Sequence, residues 1–266
     1  MTSVDAIERA AALSAAVGFD LGSVAPSLLE RMRLLARYSE TFADTERMIG
    51  RAWQVFRHYE QAKPAEAFTE LERRIVVLGC LFSDIGKSGP AHADSAGQTL
   101  ILEMFAVEGV RDDRQSVAEF FARYFPADAD ERVRRFEALG LDPKLTMRQF
   151  WNLHSGWTLD IAEAGSVPPE VIAAAATHHL LDNVNPGSIV APDRRFTRTS
   201  GTNVGFDRAE KLIILLDKYD ALRRRGRLDH AQAIGWLHER VDANPEFRGD
   251  HELATLLADF DAALRG

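Results

Sequence analysis

Apolar residues recur along most of this chain at three- and four-residue spacing, the period of a helix with one buried face. Met48, Ala52, Val55 and Tyr59 form one such stripe, and Phe68, Leu71, Ile75, Leu78 and Leu81 form another. Pro26 and Pro64 stand where first-turn prolines stand ahead of such patterns. Residues 168–181 open with Pro-Pro-Glu and continue through Val-Ile-Ala-Ala-Ala-Ala, a good helix former. Within 208–225 the run Leu-Ile-Ile-Leu-Leu has the pattern of a buried strand, but its charged, helix-favouring flanks predict a buried helix. Asp229 and Asp250 are placed to cap two final helices, over 230–241 and 251–264. Few stretches alternate with period two, and the pattern predicts an all-α protein.

Two stretches break the helical period. Residues 86–96 read as a loop, and so do residues 182–207, rich in Asn, Gly, Pro, Ser and Thr. The second is long for a structureless loop, which points to function or mobility. Its Arg194, Arg195 and Arg198 suit bidentate phosphate contacts, or pairing with Asp193 or Asp207. The segment 107–140 is denser in charge than its surroundings and reads as an extra pair of helices.

Composition narrows the class. The chain has 266 residues, 46% hydrophobic and 27% charged, which is ordinary for a globular protein. Acidic residues outnumber basic ones 40 to 32, for a formal charge of −8, which argues against general duplex nucleic-acid binding. The single cysteine, Cys80, excludes a disulfide framework and reads as a buried thiol. The first ten residues carry Asp5 and Glu8 and no basic stretch, unlike a secretory signal. Apolar runs of about eight residues fall far short of a membrane span. These features together read as a protein of a reducing, cytoplasmic compartment.

No Walker-type glycine loop and no Gly-x-Ser-x-Gly elbow is present. What remains is a set of His and Asp residues: His58, Asp84, His154, the adjacent His178 and His179, and Asp217. His92, His230, His238 and His251 have no distinguishing context. Adjacent histidines on a helix point about 100° apart, so both reach one centre only at a close helix junction. Asp84 and Asp217 each abut a strongly apolar run, and a buried carboxylate there needs pairing, hydrogen bonding or a metal. Imidazoles with carboxylates and no thiolate suit Mn, Fe, Co or Zn.

Ser83-Asp84-Ile85-Gly86-Lys87 resembles the His-Asp-Ile-Gly-Lys signature of HD-domain phosphohydrolases of the HD-GYP branch. Four further segments are similar to that family in the same order. RAWQVFRHYE carries His58, KLTMRQFWNLHSGWTLDIAE carries His154, VIAAAATHHLL carries His178 and His179, and AEKLIILLDKYDAL carries Asp217. The likeness spans roughly residues 45–260. It implies an N-terminal helical extension over 1–44, an HD-type helical bundle over 45–266, and an insertion near 91–140. Aromatics within that insertion, Phe120, Phe121, Tyr124 and Phe125, would cover the cleft or pack on the core.

The resemblance further implies one or two divalent ions, with Fe, Mn, Zn or Co as candidates, and hydrolysis of a phosphate ester, most readily in a nucleotide. One ion would take His58, Asp84 and Asp217; the other would take Asp84, His154, His178 and His179. Asp84 and Lys87 would be the catalytic residues, Asp84 bridging the ions and Lys87 holding a phosphate oxygen. The pattern also departs from the family. Ser83 replaces its histidine, Gln54 a glutamate and Leu180 the glutamate after the histidine pair. Asn-Val-Asn-Pro-Gly-Ser (183–188) stands in place of the Gly-Tyr-Pro loop. These departures keep a second reading open: a module that binds metal and a nucleotide or a signalling protein partner without turnover.

Overall fold

The computed structural model describes residues 3–38, 41–182, 207–245 and 247–265. Among them the chain is all-α, with twelve α-helices and no strand. The first six are α1 (Ser3–Ala15), α2 (Pro26–Tyr38), α3 (Thr41–Ala62), α4 (Glu70–Phe82), α5 (Ser95–Ala106) and α6 (Val117–Tyr124). They are followed by α7 (Ala129–Ala138), α8 (Met147–Ala164), α9 (Pro169–Ala176), α10 (Arg208–Arg224), α11 (His230–Ala243) and α12 (His251–Leu264). No helix among the described residues is long and apolar enough to cross a membrane. Residues 183–206, with Arg194, Arg195 and Arg198, lie outside the described residues.

Helix starts follow local chemistry. Thr69 with Glu72, Ser116 with Glu119, Thr146 with Gln149, Asp207 with Glu210 and Asp229 with Gln232 form reciprocal capping boxes. Asp250 caps α12 by accepting from the Leu253 amide. Three expectations from the pattern need correction. Pro64 opens a short 3-10 turn rather than an α-helix. Leu71, at the start of α4, is 52% exposed, because the helix turns that first-turn position to solvent while Phe68, just outside it, is buried. The helix expected over 168–181 stops at Ala176, so His178 and His179 follow its end.

Helix α4 is the axle of the fold. Residues Ile75 through Phe82 are all buried. Leu78, Leu81 and Phe82 join one apolar cluster with α1, α2, α5 to α9. Ile75, Val76, Val77 and Cys80 join a second cluster with α3, α10, α11 and α12. The alanines of α9 let it approach α4 closely: a Cβ on Gly79 would stand 3.3 Å from the Ala174 methyl. Lys211, fully buried on α10, reaches Asp250 and Glu252 at 2.7 Å and so ties α10 to the start of α12.

Beyond α4 the chain makes a tight 3-10 turn, Ile85–Ser88, pressed against α8. Thr158 of α8 accepts from the Gly86 amide at 3.0 Å and donates to the Ser83 carbonyl at 2.9 Å. A Cβ on Gly86 would fall 2.0 Å from the His154 carbonyl oxygen and 2.7 Å from the Thr158 nitrogen. Both obstacles are backbone, so neither can rotate away. Gly86→Ala is therefore expected to cost about 3 kcal/mol or more in urea unfolding, at or above the usual range for overpacking. Gly79→Ala meets only the movable Ile213 side chain at its closest contact and should cost less.

Candidate metal centre

Four segments of chain meet beside this turn. Asp84 follows the end of α4, His154 projects from α8, His178 and His179 come from the turn after α9, and Asp217 stands on α10. The early end of α9 answers the geometric problem of adjacent histidines. Freed from the helical 100° step, their rings lie 4.0 Å apart by centroid and both face His154. Nε2 of His154 is 3.3 Å from Nε2 of His178 and 3.2 Å from Nε2 of His179. Asp84 Oδ1 lies 3.7 Å from the first and 3.9 Å from the second. Its other oxygen accepts from Lys87 Nζ at 2.7 Å.

The far sides of the rings settle where their protons are. His154 Nδ1 faces the Trp151 carbonyl and His178 Nδ1 faces the Ala175 carbonyl at 2.6 Å. A carbonyl only accepts, so each Nδ1 carries the proton and each Nε2 presents a lone pair. His179 Nδ1 is 3.3 Å from Asp217 Oδ2, again an acceptor, although both atoms are buried and off the hydrogen-bond angle. One shared proton can satisfy one edge of the imidazole triangle, but the His154–His178 edge stays lone pair against lone pair. Such a set is repulsive until a cation joins it. Metal–nitrogen bonds of ~2.0–2.1 Å at tetrahedral angles separate two ligand nitrogens by ~3.3 Å, as here. The three histidines therefore have the spacing of a donor set for a divalent ion, and Asp84 stands at its edge, beside His154 and His178.

Burial and charge poise the donors. Burial first, then the neighbouring His179, pushes His178 down to about 4, and the same causes hold His154 well below the ordinary histidine value. Burial pushes the Asp84 carboxyl up, but Lys87, His154 and His178 outweigh it and hold that carboxyl well below the usual range. Asp217 is likewise lowered against its burial, chiefly by His179.

The remaining expected ligands are placed differently. His58 is not in the cluster: its Nε2 faces Asp259 of α12 at 3.7 Å, beside Tyr59 and Lys63. The reason is axial. Arg47 and Arg51 are the α3 residues that meet α10, at Asp220, and His58 lies seven residues, about 10 Å, farther along the helix. Asp217 supports His179 from behind. Of the three residues expected at a first ion, His58 is placed elsewhere, while Asp84 and Asp217 both stand beside the histidines. Ser83 is buried, and its hydroxyl donates to the Cys80 carbonyl at 3.0 Å.

The sequence pattern did not single out an ionic network alongside. Buried Asp220 pairs with Arg47 and Arg51, and Asp44 pairs with Arg47 and Arg224. Burial raises the Asp44 carboxyl against the pull of Arg224, and Asp84 and Lys87 act on it in opposite senses. Arg47 and Arg51 flank the apolar stripe of α3 at four-residue spacing, which was the available signal. From the expected insertion, Phe105 of α5 packs its edge on His154 at 5.7 Å and lies 5.0 Å from Phe150. Phe120 and Phe121 are buried in the core instead.

Among known proteins, no family model matches the chain, and no curated protein or solved structure is significantly similar to it.

The shifted histidines predict a pH dependence. Below the ordinary histidine value of 6.5, the unfolded chain takes up protons that folded His178 refuses until about 4. Stability therefore falls as pH falls through that window, by about 3 kcal/mol for His178 alone. Asp84 and Asp217 have lowered folded values, so their contribution is lost only as pH falls through 3.8 and below. Urea unfolding of the metal-free protein should show the loss between pH 6.5 and 4, and His178→Gln should lessen it, with His154 carrying the remainder.

Proposed function

We propose that this protein is a metal-dependent phosphohydrolase of the HD superfamily, HD-GYP-like, acting on a phosphoester in a nucleotide. The observation that carries the reading is the cluster of three imidazoles, two of them buried, with Asp84 and Lys87 at its edge. His154, His178, His179 and Asp84 would hold one divalent ion, with Fe, Mn, Zn or Co compatible with that donor set. The ion would supply Lewis acidity toward water and a phosphoryl oxygen.

The chain's own groups do the rest. The Trp151 and Ala175 carbonyls hold the His154 and His178 rings with Nε2 free to bind a metal, and the Asp217 carboxylate stands behind His179. Lys87 is a compact positive charge beside the centre, placed to bind a phosphate oxygen and to stabilise charge building there. Asp84 keeps Lys87 close while its other oxygen faces the histidines. One ion is favoured over two because His58 faces Asp259, away from the cluster.

A second reading rests on the same dispersal and on Ser83: a module that binds metal and a nucleotide or signalling protein partner without turnover. Turnover separates the two. Protein purified without chelators should contain about one equivalent of metal by mass spectrometry. His178→Ala with His179→Ala should abolish it, and His58→Ala should leave it unchanged; metal retained by the double variant would end the assignment.

Activity on a generic phosphodiester should fall by about 10²–10³ in kcat for Lys87→Ala, the scale of one lost charge-stabilising donor. Cyclic di-GMP should be turned over no better than other nucleotide diesters, since the Gly-Tyr-Pro loop is missing from the sequence. Metal binding with no turnover of any phosphoester would favour the binding module.

A further inference from the structure

Arg31, on α2, is almost fully buried, yet none of its hydrogen bonds goes to a carboxylate. Nη1 donates to the Ser88 carbonyl at 3.1 Å, the Ser88 hydroxyl at 2.9 Å and the Gly89 carbonyl at 3.3 Å. Nη2 donates to the Pro90 and Ala91 carbonyls, both at 2.9 Å. One guanidinium thus gathers four consecutive carbonyls, a fork geometry that a lysine ammonium cannot reproduce. Burial lowers it to about 10, so it stays charged at neutral pH.

The chain it gathers is the continuation of the turn that carries Asp84 and Lys87. Lys87 donates its amide to the Asp84 carbonyl and Gly89 donates to Gly86, both at 2.9 Å. Gly89 is in the left-handed region at φ +86°, and a Cβ there would meet Ile101 at 3.0 Å, so the exit from the turn is closely confined. Ser88 completes the link, its hydroxyl donating to the Ile85 carbonyl at 2.6 Å. On the other side Thr158 holds Ser83 and Gly86. The turn is therefore clamped twice, by α8 at its start and by α2 at its end, with Lys87 between.

We infer that Arg31 is a positioning residue of the metal centre, fixing from the N-terminal helices the turn that presents Asp84 and Lys87. The inference rests on the metal-site reading above. A buried cation surrounded by carbonyls is costly unless every donor is used. The side chain that bears this cost holds a site-bearing turn. The N-terminal region is then part of the site's foundation.

The test compares the full-length wild type with Arg31→Met, which keeps an apolar stem and removes the fork, and Arg31→Lys, which restores one charged donor. Hydrogen exchange of the metal-free proteins should quicken at the Lys87 and Gly89 amides in Arg31→Met, less so in Arg31→Lys, with α12 unchanged. Co(II) titration should show weaker binding by about ten- to a hundredfold in Arg31→Met, the usual scale for a lost supporting contact. Its visible bands should be altered, and Arg31→Lys should recover part of the affinity.

Tyr59→Phe, which breaks only the Tyr59–Asp259 bond far along α3, is the control for general destabilisation and should leave the cobalt spectrum intact. Either Arg31 variant, folded and with wild-type exchange at the turn, overturns the inference. So does a wild-type cobalt affinity and spectrum in Arg31→Met. If Arg31→Met does not fold, Arg31→Lys carries both measurements. If the wild type binds no Co(II), the metal reading falls, and the exchange comparison alone decides whether Arg31 holds the turn.

Discussion

Three imidazoles meet at one point, those of His154 and His178 buried with their lone pairs facing, and the rest of the site is arranged around that conflict. A buried acceptor without a donor carries its full desolvation penalty, and two facing acceptors add repulsion. The protein does not relieve this by turning a ring. It does the opposite, pinning the outer nitrogens of His154 and His178 to the Trp151 and Ala175 carbonyls so that the inner ones cannot be protonated without becoming imidazolium. Burial then opposes that charge. On the proposed reading a cation would resolve the conflict, with Asp84 beside it.

The buried charges elsewhere follow a common logic: each joins elements that apolar packing alone would leave free to slide. Arg31 links α2 to the turn after α4. Lys211 links α10 to the start of α12. Asp220 links α10 to α3 through Arg47 and Arg51. Such pairs are weak contributors to net stability, because desolvation offsets most of the attraction. Their directional geometry suits them to fixing how far one helix has advanced along another. That is the quantity on which the meeting of Asp84, His154, His178, His179 and Asp217 depends.

Close backbone approach supplies the complementary constraint. Gly86 lets the turn carrying Asp84 and Lys87 sit against α8 at the level of His154. Ala174 and Gly79 do the same for α9 and α4. Small residues at these contacts set the distance between the segments that carry the histidines and Asp84, and the ionic clamps set their register.

Much was legible in the chain itself. Helix type and most boundaries follow from a local period and local caps, which is why α10, α11 and α12 lie where the pattern puts them. Asp84 and Asp217 could be picked out because carboxylates against apolar runs must be satisfied by something, whereas His154, His178 and His179 stood out through the resemblance and the adjacency of the pair. What the chain could not express is position along a helix axis. His58 and Arg51 lie on the same stripe of α3, and only the packing of α3 on its neighbours decides that Arg51 meets Asp220 of α10 while His58 meets α12. Likewise the convergence of His178 and His179 depends on α9 ending early, and their tautomers depend on carbonyls from the preceding turn. Arg31 had no local signal at all, since its partners lie about sixty residues away. Periodicity encodes which side of a helix faces inward; the tertiary structure alone decides what it faces, because that depends on the sum of all the contacts that hold two helices in register.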